Sequence, residues 1–451
     1  MINLENIAHF DKVYNFFLPY VKFTHNKLYY KKIHVIGREN IPPKGVPSFF
    51  ITNHQNGLMD PLAILCLFKD NRQPIFIARG DIFKQNTVAK ILRFLKILPT
   101  FRRRDGSLND IRSNNHIFEI ASKALKKGST LAMYPEAGHQ AGHFMTTFKK
   151  GFPRVAFAAE AYADYELGLQ IVPASLHYKN YFHFRGELVI TIGKPFTLQP
   201  YLELYKTDTN NAYLQFNEEC RKRVKELTLD IEDHEYYNEI DFLRNHWHTE
   251  RLHAQNQNTN YLPAQLQEDM KIVNELAQLQ TAEPERYAQL MTDTRTYIAG
   301  LKQLKLRDWL ITNPPKLGKL LLQSLLMLLL SPFALAGFLY NGLPFYFSGI
   351  FRKKLKDKMF HSSFNYASSA IIAFPIWYIA LFITSWALSG HFWFALLQVI
   401  VAFGLLFFFY TYKIKWLKWG GSWRYTILKW RKNKLLQKML ELSKKLIPNF
   451  E

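Results

Sequence analysis

Ser48-Phe49-Phe50-Ile51-Thr52-Asn53-His54-Gln55-Asn56-Gly57-Leu58-Met59-Asp60-Pro61 is the stretch on which the fold turns. An apolar run of strand type ends in a polar turn containing a glycine, and a new apolar-periodic segment, Pro61–Phe68, then begins. His54 stands just past the strand and Asp60 just before the helix, where they can share the mouth of an α/β sheet. Open sheets of this kind place their chemistry there. A spacing of six would put the two residues on different faces of a continuous helix, so the chain must turn between them, and Gly57 makes that turn cheap. A neutral imidazole takes a proton from a substrate hydroxyl, while a carboxylate on its other nitrogen fixes the tautomer and steadies the imidazolium. The same residues also read as an ordinary helix start, with Asp60 as N-cap and Pro61 at the first helical position.

The alternation continues on both sides. Strand patterns fall at Ile33–Ile36, Phe49–Thr52, Pro74–Ala78, Thr130–Tyr134, Ile171–Leu176 and Glu187–Ile192. Helical patterns at Pro61–Phe68, Asn86–Leu95, Asn109–Lys126 and Phe152–Ala163 separate most of them. This predicts one α/β domain over residues 32–200, a mostly parallel or mixed sheet covered by helices. Before it, residues 1–31 hold an aromatic-rich helical pattern that lies on a membrane or caps the domain, with a break expected at Pro19. After it, residues 201–316 are polar and helix-compatible. His246, His248 and His253 there give no i,i+4 pair and have no cysteine nearby, so they are expected as exposed helix residues and not as metal ligands.

From Leu317 the chain turns lipophilic. Leu320–Ile350, Tyr366–Leu388 and Phe392–Tyr412 are nearly free of charge, and a bilayer takes about 20 residues to span. Basic clusters at Arg307/Lys316/Lys319, Arg352/Lys353/Lys354/Lys356/Lys358 and Lys413/Lys415/Lys418 flank them, and positive-inside bias wants all three on the cytosolic side. Residues 366–388 and 392–412 satisfy this as a transmembrane hairpin turning at Ser389-Gly390-His391. Residues 317–350 are then expected to be re-entrant, broken at Pro332, Gly342 or Pro344. The tail, 413–451, is basic and amphipathic, with Leu428, Leu435, Met439, Leu442 and Leu446 on a face suited to a membrane surface.

Composition agrees with that organisation. A chain of 451 residues has room for two or three domains. A net charge of +22 and 16% aromatic residues imply an anionic partner. The basic residues flank lipophilic segments instead of forming a separate patch, which favours acidic lipid and argues against nucleic acid. Cys66 and Cys220 lie far apart in dissimilar contexts, so neither a disulfide framework nor a thiolate metal site is expected. Met1–Phe10 lacks a basic region leading into an apolar one, so the catalytic part is expected in the cytosol, held at the cytoplasmic membrane.

Two further segments join the His54–Asp60 pair. In Leu98-Pro99-Thr100-Phe101-Arg102-Arg103-Arg104-Asp105-Gly106 a strand-like run ends in three arginines. A guanidinium binds phosphate bidentately, although such a run also reads as a solvated or lipid-facing patch. Tyr134-Pro135-Glu136-Ala137-Gly138-His139 follows a strand and leads towards Phe148-Lys149-Lys150-Gly151. His139 and His143 have the i,i+4 spacing of a zinc helix, but Gly138 and Gly142 oppose a rigid helix there, and no metal is expected.

In this order the segments resemble the glycerophospholipid acyltransferases, which pass a fatty acyl group to glycerol 3-phosphate or its 1-acyl derivative. Asn53, His54 and Asp60 match that family's first block; Arg102, after a strand, best matches its second. Tyr134-Pro135-Glu136 with Ala137-Gly138 is similar to its Phe-Pro-Glu-Gly block, and Val172-Pro173-Ala174 to its Val-Pro strand. Gly37-Arg38-Glu39-Asn40-Ile41-Pro42 looks like the family's entry turn, and the likeness covers roughly residues 30 to 200. Two departures stand out. Most members have four residues between His and Asp where this chain has five, which looks more like the glycerol-3-phosphate and dihydroxyacetone-phosphate acyltransferases. Ala137 follows the Pro-Glu pair directly, which puts Gly138 in the glycine's role.

The resemblance implies transfer without an acyl-enzyme. His54, oriented by Asp60, would deprotonate a glycerol hydroxyl that attacks the thioester of acyl-CoA or of acyl carrier protein. Arg102 would hold the acceptor's phosphate, with Arg104 and Lys149 as further candidates; Asn53, Glu136 and Gly138 would complete the substrate site. It implies no cofactor and no metal. The partners it implies are the acyl donor, the phosphorylated glycerol acceptor and membrane lipid. Two other classes fit the composition, an inactive membrane scaffold and a nucleic-acid binder; a scaffold would have no need of the His and Asp that are present.

Overall fold

Phe49, Phe50 and Ile51 are wholly buried, as expected of an aromatic and β-branched run covered on both faces. They lie in β2 of a seven-stranded sheet made of β1 (Lys32–Ile36), β2 (Ser48–Thr52), β3 (Ile75–Arg79), β4 (Ile97–Thr100), β5 (Thr130–Met133), β6 (Gln170–Tyr178) and β7 (Glu187–Ile192). The strand order is β1-β7-β6-β2-β5-β3-β4. Every neighbouring pair is parallel except β6 with β7, so the sheet is mixed. β6, β2, β5, β3 and β4 therefore end at one edge, and the turns leaving these strands collect there. The computed structural model describes residues 6–101, 108–138, 142–352, 355 and 357–446.

Two units divide the chain, residues 1–232 with 355–366, and residues 233–354 with 367–451. In the first, α1 (Lys12–Phe23), α2 (Met59–Leu67), α3 (Asn86–Phe94), α4 (Leu108–Lys126), α5 (Gly151–Tyr162), α6 (Leu202–Thr207) and α7 (Thr209–Lys225) surround the sheet. One core joins strand residues Phe49, Ile77, Leu131 and Ile171 to Ala121 and Leu125 of α4, Phe152 and Phe157 of α5 and Phe216 of α7. Pro19 does not break α1 as expected. That helix buries Tyr14 and Leu18 while Val13, Phe16, Phe17 and Phe23 stay at least half exposed, so it caps the domain and still presents an apolar face.

The second unit is helical, with α8 (Tyr237–Ala254), α9 (Leu262–Ala282), α10 (Pro284–Leu304), α11 (Trp309–Thr312) and α12 (Leu317–Arg352). Then, after α13 (His361–Asn365), which belongs to the first unit, come α14 (Phe374–Ser389), α15 (Phe392–Trp430) and α16 (Lys434–Leu446). Among the described residues three helical stretches, 317–347, 361–389 and 392–430, are long and apolar enough to cross a membrane.

Three expectations are corrected in this part of the chain. α12 is one continuous helix and not a segment broken at Pro332, Gly342 or Pro344. Each proline frees the carbonyl four residues before it, and each finds a donor: Ser331 Oγ donates to Leu328 O at 2.8 Å and Trp377 Nε1 to Tyr340 O at 2.7 Å. The tail's apolar face is used inside the protein instead of on a membrane surface. Leu436, Met439, Leu442 and Leu446 of α16 are buried, and Met439 packs so closely on Gly300 of α10 that a side chain there would force the methionine to shift. His246 and His248 are buried, not exposed; their Nδ1 atoms lie 2.8 Å from Asp308 Oδ2 and 2.7 Å from Asp269 Oδ1. Buried polar rings need partners, and these carboxylates supply one to each Nδ1.

Candidate active site

The turn after β2 gathers around the carboxylate of Asp60. Asp60 is wholly buried in the first turn of α2, and its side chain points back at the residues before the helix. Its Oδ2 accepts from the backbone N–H of Gln55 at 2.8 Å and of Asn56 at 2.9 Å, and lies 2.7 Å from His54 Nδ1. Its Oδ1 accepts from the Tyr178 hydroxyl at 2.6 Å. Asp60 is thus not a conventional N-cap, because it satisfies the turn and not the helix. The bend itself uses Gly57 in the left-handed region at φ 50°. With Nδ1 committed to the carboxylate, Nε2 is the nitrogen at which a neutral His54 accepts a proton.

The strands on either side fix that turn. Asn53, wholly buried, exchanges two hydrogen bonds with the Leu176 backbone of β6, donating from Nδ2 at 3.0 Å and accepting at Oδ1 at 2.8 Å. From the side of β5, Glu136 Oε1 accepts from His54 N–H at 3.1 Å, while its Oε2 accepts from Thr146 N–H and hydroxyl at 2.9 and 2.8 Å. Burial pushes the Glu136 carboxyl above the usual carboxylate value, against the pull of those donors. Tyr134 stacks on the His54 ring with centroids 4.4 Å apart. Burial and the nearby Asp60 charge raise the Tyr178 phenol well above its ordinary value, so it stays a neutral donor.

A pocket of about 300 Å³ opens beside His54. Gly57, Ala137 and Gly138 edge it with backbone, Phe76, Ile77, Ile97 and Met133 give it an apolar wall, and Arg79 and Asp81 supply charge. Arg79, the last residue of β3, is paired with Asp81 through Nε at 3.0 Å. Asp357 and Phe360 complete the lining. They come from the short segment between the first and second apolar helices, which is anchored to the first unit. There the Ser362 hydroxyl donates to Tyr181 O, and the Tyr366 hydroxyl lies 2.8 Å from Thr24 Oγ1.

The sequence-derived candidates separate cleanly against this geometry. His54 and Asp60 meet, and Gly138 lines the pocket. Asn53 and Glu136 are not among the pocket residues; Asn53 bonds the Leu176 backbone, and Glu136 bridges His54 N–H to Thr146. Lys149 is exposed, its ammonium donating to Thr147 Oγ1 at 2.9 Å, and it is not among the pocket residues. Arg102 and Arg104 lie outside the described residues, as does His139. Thr100, which lines the pocket and pairs with Arg79 across β3 and β4, precedes Arg102 by two residues. In this turn it is Ala137 that adopts the left-handed region, at φ 54°, and not Gly138. Among the described residues no group of three or more His, Cys, Asp or Glu is placed to hold a metal ion.

Sequence reasoning missed Tyr178, Arg79, Asp357 and Phe360. The strand pattern in the sequence stops at Leu176 and Ala78, short of a buried tyrosine and of an arginine at the crevice. A charged residue closing a parallel strand was a usable signal. The lining from residues 357 and 360 had none, because nothing local in that segment shows which domain it joins.

Known proteins place the same stretch. Residues 32–177 match a family described as Acyltransferase. A chloroplastic 1-acyl-sn-glycerol-3-phosphate acyltransferase of Arabidopsis thaliana is 28% identical over 145 residues, 32% of this chain and 36% of that protein. One of the same description from Brassica napus is 26% identical over 145 residues, 32% of this chain and 37% of that protein. The chain thus spans little more than a third of the length of these curated relatives. A crystal structure of a 1-acyl-sn-glycerophosphate acyltransferase from Thermotoga maritima aligns over 48% of this chain and 80% of that one, with 20% identity and a TM-score of 0.33.

Proposed function

We propose that this chain, which carries an acyltransferase domain at residues 32–177, is a membrane-bound enzyme that moves a fatty acyl group from a thioester to a hydroxyl of a phosphorylated glycerol. The observation that carries the reading is His54 Nδ1 at 2.7 Å from a wholly buried Asp60, with the imidazole lining a pocket that has apolar walls. His54 takes the hydroxyl proton at Nε2 as the oxygen attacks the thioester carbonyl; the imidazolium then returns the proton to the leaving thiolate. No acyl-enzyme forms. Backbone amides at Gly57 or at the Ala137–Gly138 turn, both at the pocket edge, are the donors offered to the tetrahedral oxyanion. Holding acceptor and thioester in register supplies much of the acceleration.

Glycerol 3-phosphate is the acceptor suggested by the five residues between His54 and Asp60. Its 1-acyl derivative is the second reading, and the names borne by the two plant relatives favour it. The phosphate is assigned to Arg102, with Arg104 as a further candidate from the sequence and Arg79 as a cation that lines the pocket. The donor is acyl-CoA or acyl carrier protein, and the three apolar helices hold the domain at the cytoplasmic membrane with the pocket on the cytosolic side. Purified full-length protein given labelled acyl-CoA and a panel of glycerol 3-phosphate, dihydroxyacetone phosphate and 1-acylglycerol 3-phosphate should esterify one of them well above glycerol. Transfer to none, or transfer indifferent to the acceptor's phosphate, overturns the reading.

A further inference from the structure

The second unit contains a cleft of about 760 Å³ that shares no residue with the His54 pocket. It lies between the start of α12 and the part of α15 that packs against it, with Asn313-Pro314-Pro315 closing one end. Lys316 and Lys319 are three apart on α12, and Lys415 and Lys418 three apart on α15, so each pair shares a helix face. Among the described residues, none that lines the cleft is acidic. All four lysines are exposed, and none has an ion-pair or hydrogen-bond partner for its ammonium among the described residues. Like charges gathered this way repel unless an anion joins them.

Below the lysines the cleft becomes apolar. Leu320 and Met327 are buried in its floor, and Leu330 continues the same wall. Along an α-helix the distance from Lys319 to Leu330 is about 16 Å. Hydrogen bonds hold the two walls in place: Trp419 Nε1 donates to Ser324 Oγ at 2.8 Å and the Tyr412 hydroxyl to Met327 O at 2.9 Å. Trp309 and Trp419 also line the cleft, Trp419 directly after Lys418 in the chain, and tryptophan is favoured at a membrane–water boundary. α12 and α15 are both long and apolar enough to cross a membrane.

We infer that this cleft binds an anionic phospholipid, its phosphate between the two lysine pairs and one acyl chain along Leu320, Met327 and Leu330. Basic pockets between membrane helices bind acidic head groups in this way. A free phosphate ester would satisfy the lysines but would leave the apolar wall uncovered.

Full-length protein in phosphatidylcholine nanodiscs, with phosphatidylglycerol titrated in, tests this through the thermal midpoint. Phosphatidylglycerol should raise the midpoint; added phosphatidylcholine and soluble glycerol 3-phosphate should not. Each lysine near an acidic surface contributes on the order of fivefold in affinity, so Lys415→Gln/Lys418→Gln should raise the half-effect concentration roughly 25-fold. Lys415→Arg/Lys418→Arg should respond like the parent, which shows that the helix tolerates substitution. Lys429→Gln/Lys434→Gln removes the same charge away from the cleft and should leave the response intact. An equal response to glycerol 3-phosphate, an equal loss in the Lys429/Lys434 variant, or an unaltered response in Lys415→Gln/Lys418→Gln would each overturn the inference.

Discussion

Asp60→Asn separates the two things the buried carboxylate does. Oδ2 faces three N–H donors, from His54, Gln55 and Asn56, whereas Oδ1 faces one hydroxyl, that of Tyr178. An asparagine has one oxygen and one NH₂. With the NH₂ in the Oδ2 corner, it would meet three donors and no acceptor; in the Oδ1 corner it meets a phenol oxygen that accepts after its hydrogen rotates away. The amide is therefore locked with its oxygen towards His54 Nδ1, and the tautomer survives. Only the charge is lost.

That loss has bounds. A hydrogen bond to a charged group exceeds a neutral one by about 1–1.5 kcal/mol, close to tenfold in rate. Full charges at this separation interact by about 6 kcal/mol at an effective dielectric of 20, and a half-formed imidazolium experiences about half of it, or roughly 10²-fold. We expect kcat to fall between tenfold and a few hundredfold with KM nearly unchanged, measured as steady-state transfer to the best acceptor of the panel. Substitution in serine proteases, where the tautomer is lost, costs about 10⁴. A loss that large here would refute the locked amide, and a change below about threefold would show that the Asp60 charge does not assist the base.

Three more outcomes follow from the geometry. Ala137→Gly relieves a left-handed alanine that costs about 1 kcal/mol, so the domain's thermal midpoint should rise with activity retained; a lower midpoint would mean that the methyl packs better than its φ of 54° suggests. Phe360→Ala removes one apolar wall of the pocket and should lower kcat/KM for long acyl donors about tenfold relative to short ones; an unchanged ratio would place the acyl chain elsewhere. Burial pushes the Cys66 thiol up to about 12, and Cys220 is raised as well, so neither should react with iodoacetamide near neutral pH until the protein unfolds. Rapid alkylation of the native protein, followed by peptide mapping, would contradict the packing around α2 or α7.

Much of the fold was legible because each strand carries its own signal. Phe49-Phe50-Ile51 and Thr130–Met133 are short apolar runs bounded by turns, and burial on both faces follows from that pattern. The His54–Asp60 pair was legible for the same local reason: the glycine needed to fold one residue back on the other lies between them. Residues that act through distant partners were not. Asn53 and Glu136 look like substrate ligands in sequence, and only the positions of Leu176 and Thr146 show that they brace the turn. The continuity of α12 was likewise invisible, since Trp377, which caps the carbonyl freed by Pro344, lies 37 residues from its acceptor Tyr340. Amphipathicity said that α16 needs an apolar partner; it did not say that Gly300 of α10 would leave room for Met439.

The most direct measurement is single-turnover transfer of a labelled acyl group by His54→Ala beside the parent, with both proteins shown to be folded and equally incorporated into nanodiscs. If the imidazole is the base, the variant loses on the order of 10³-fold or more of the chemical step, since general-base assistance and acceptor alignment disappear together. Transfer by His54→Ala within about tenfold of the parent would contradict the account at its centre.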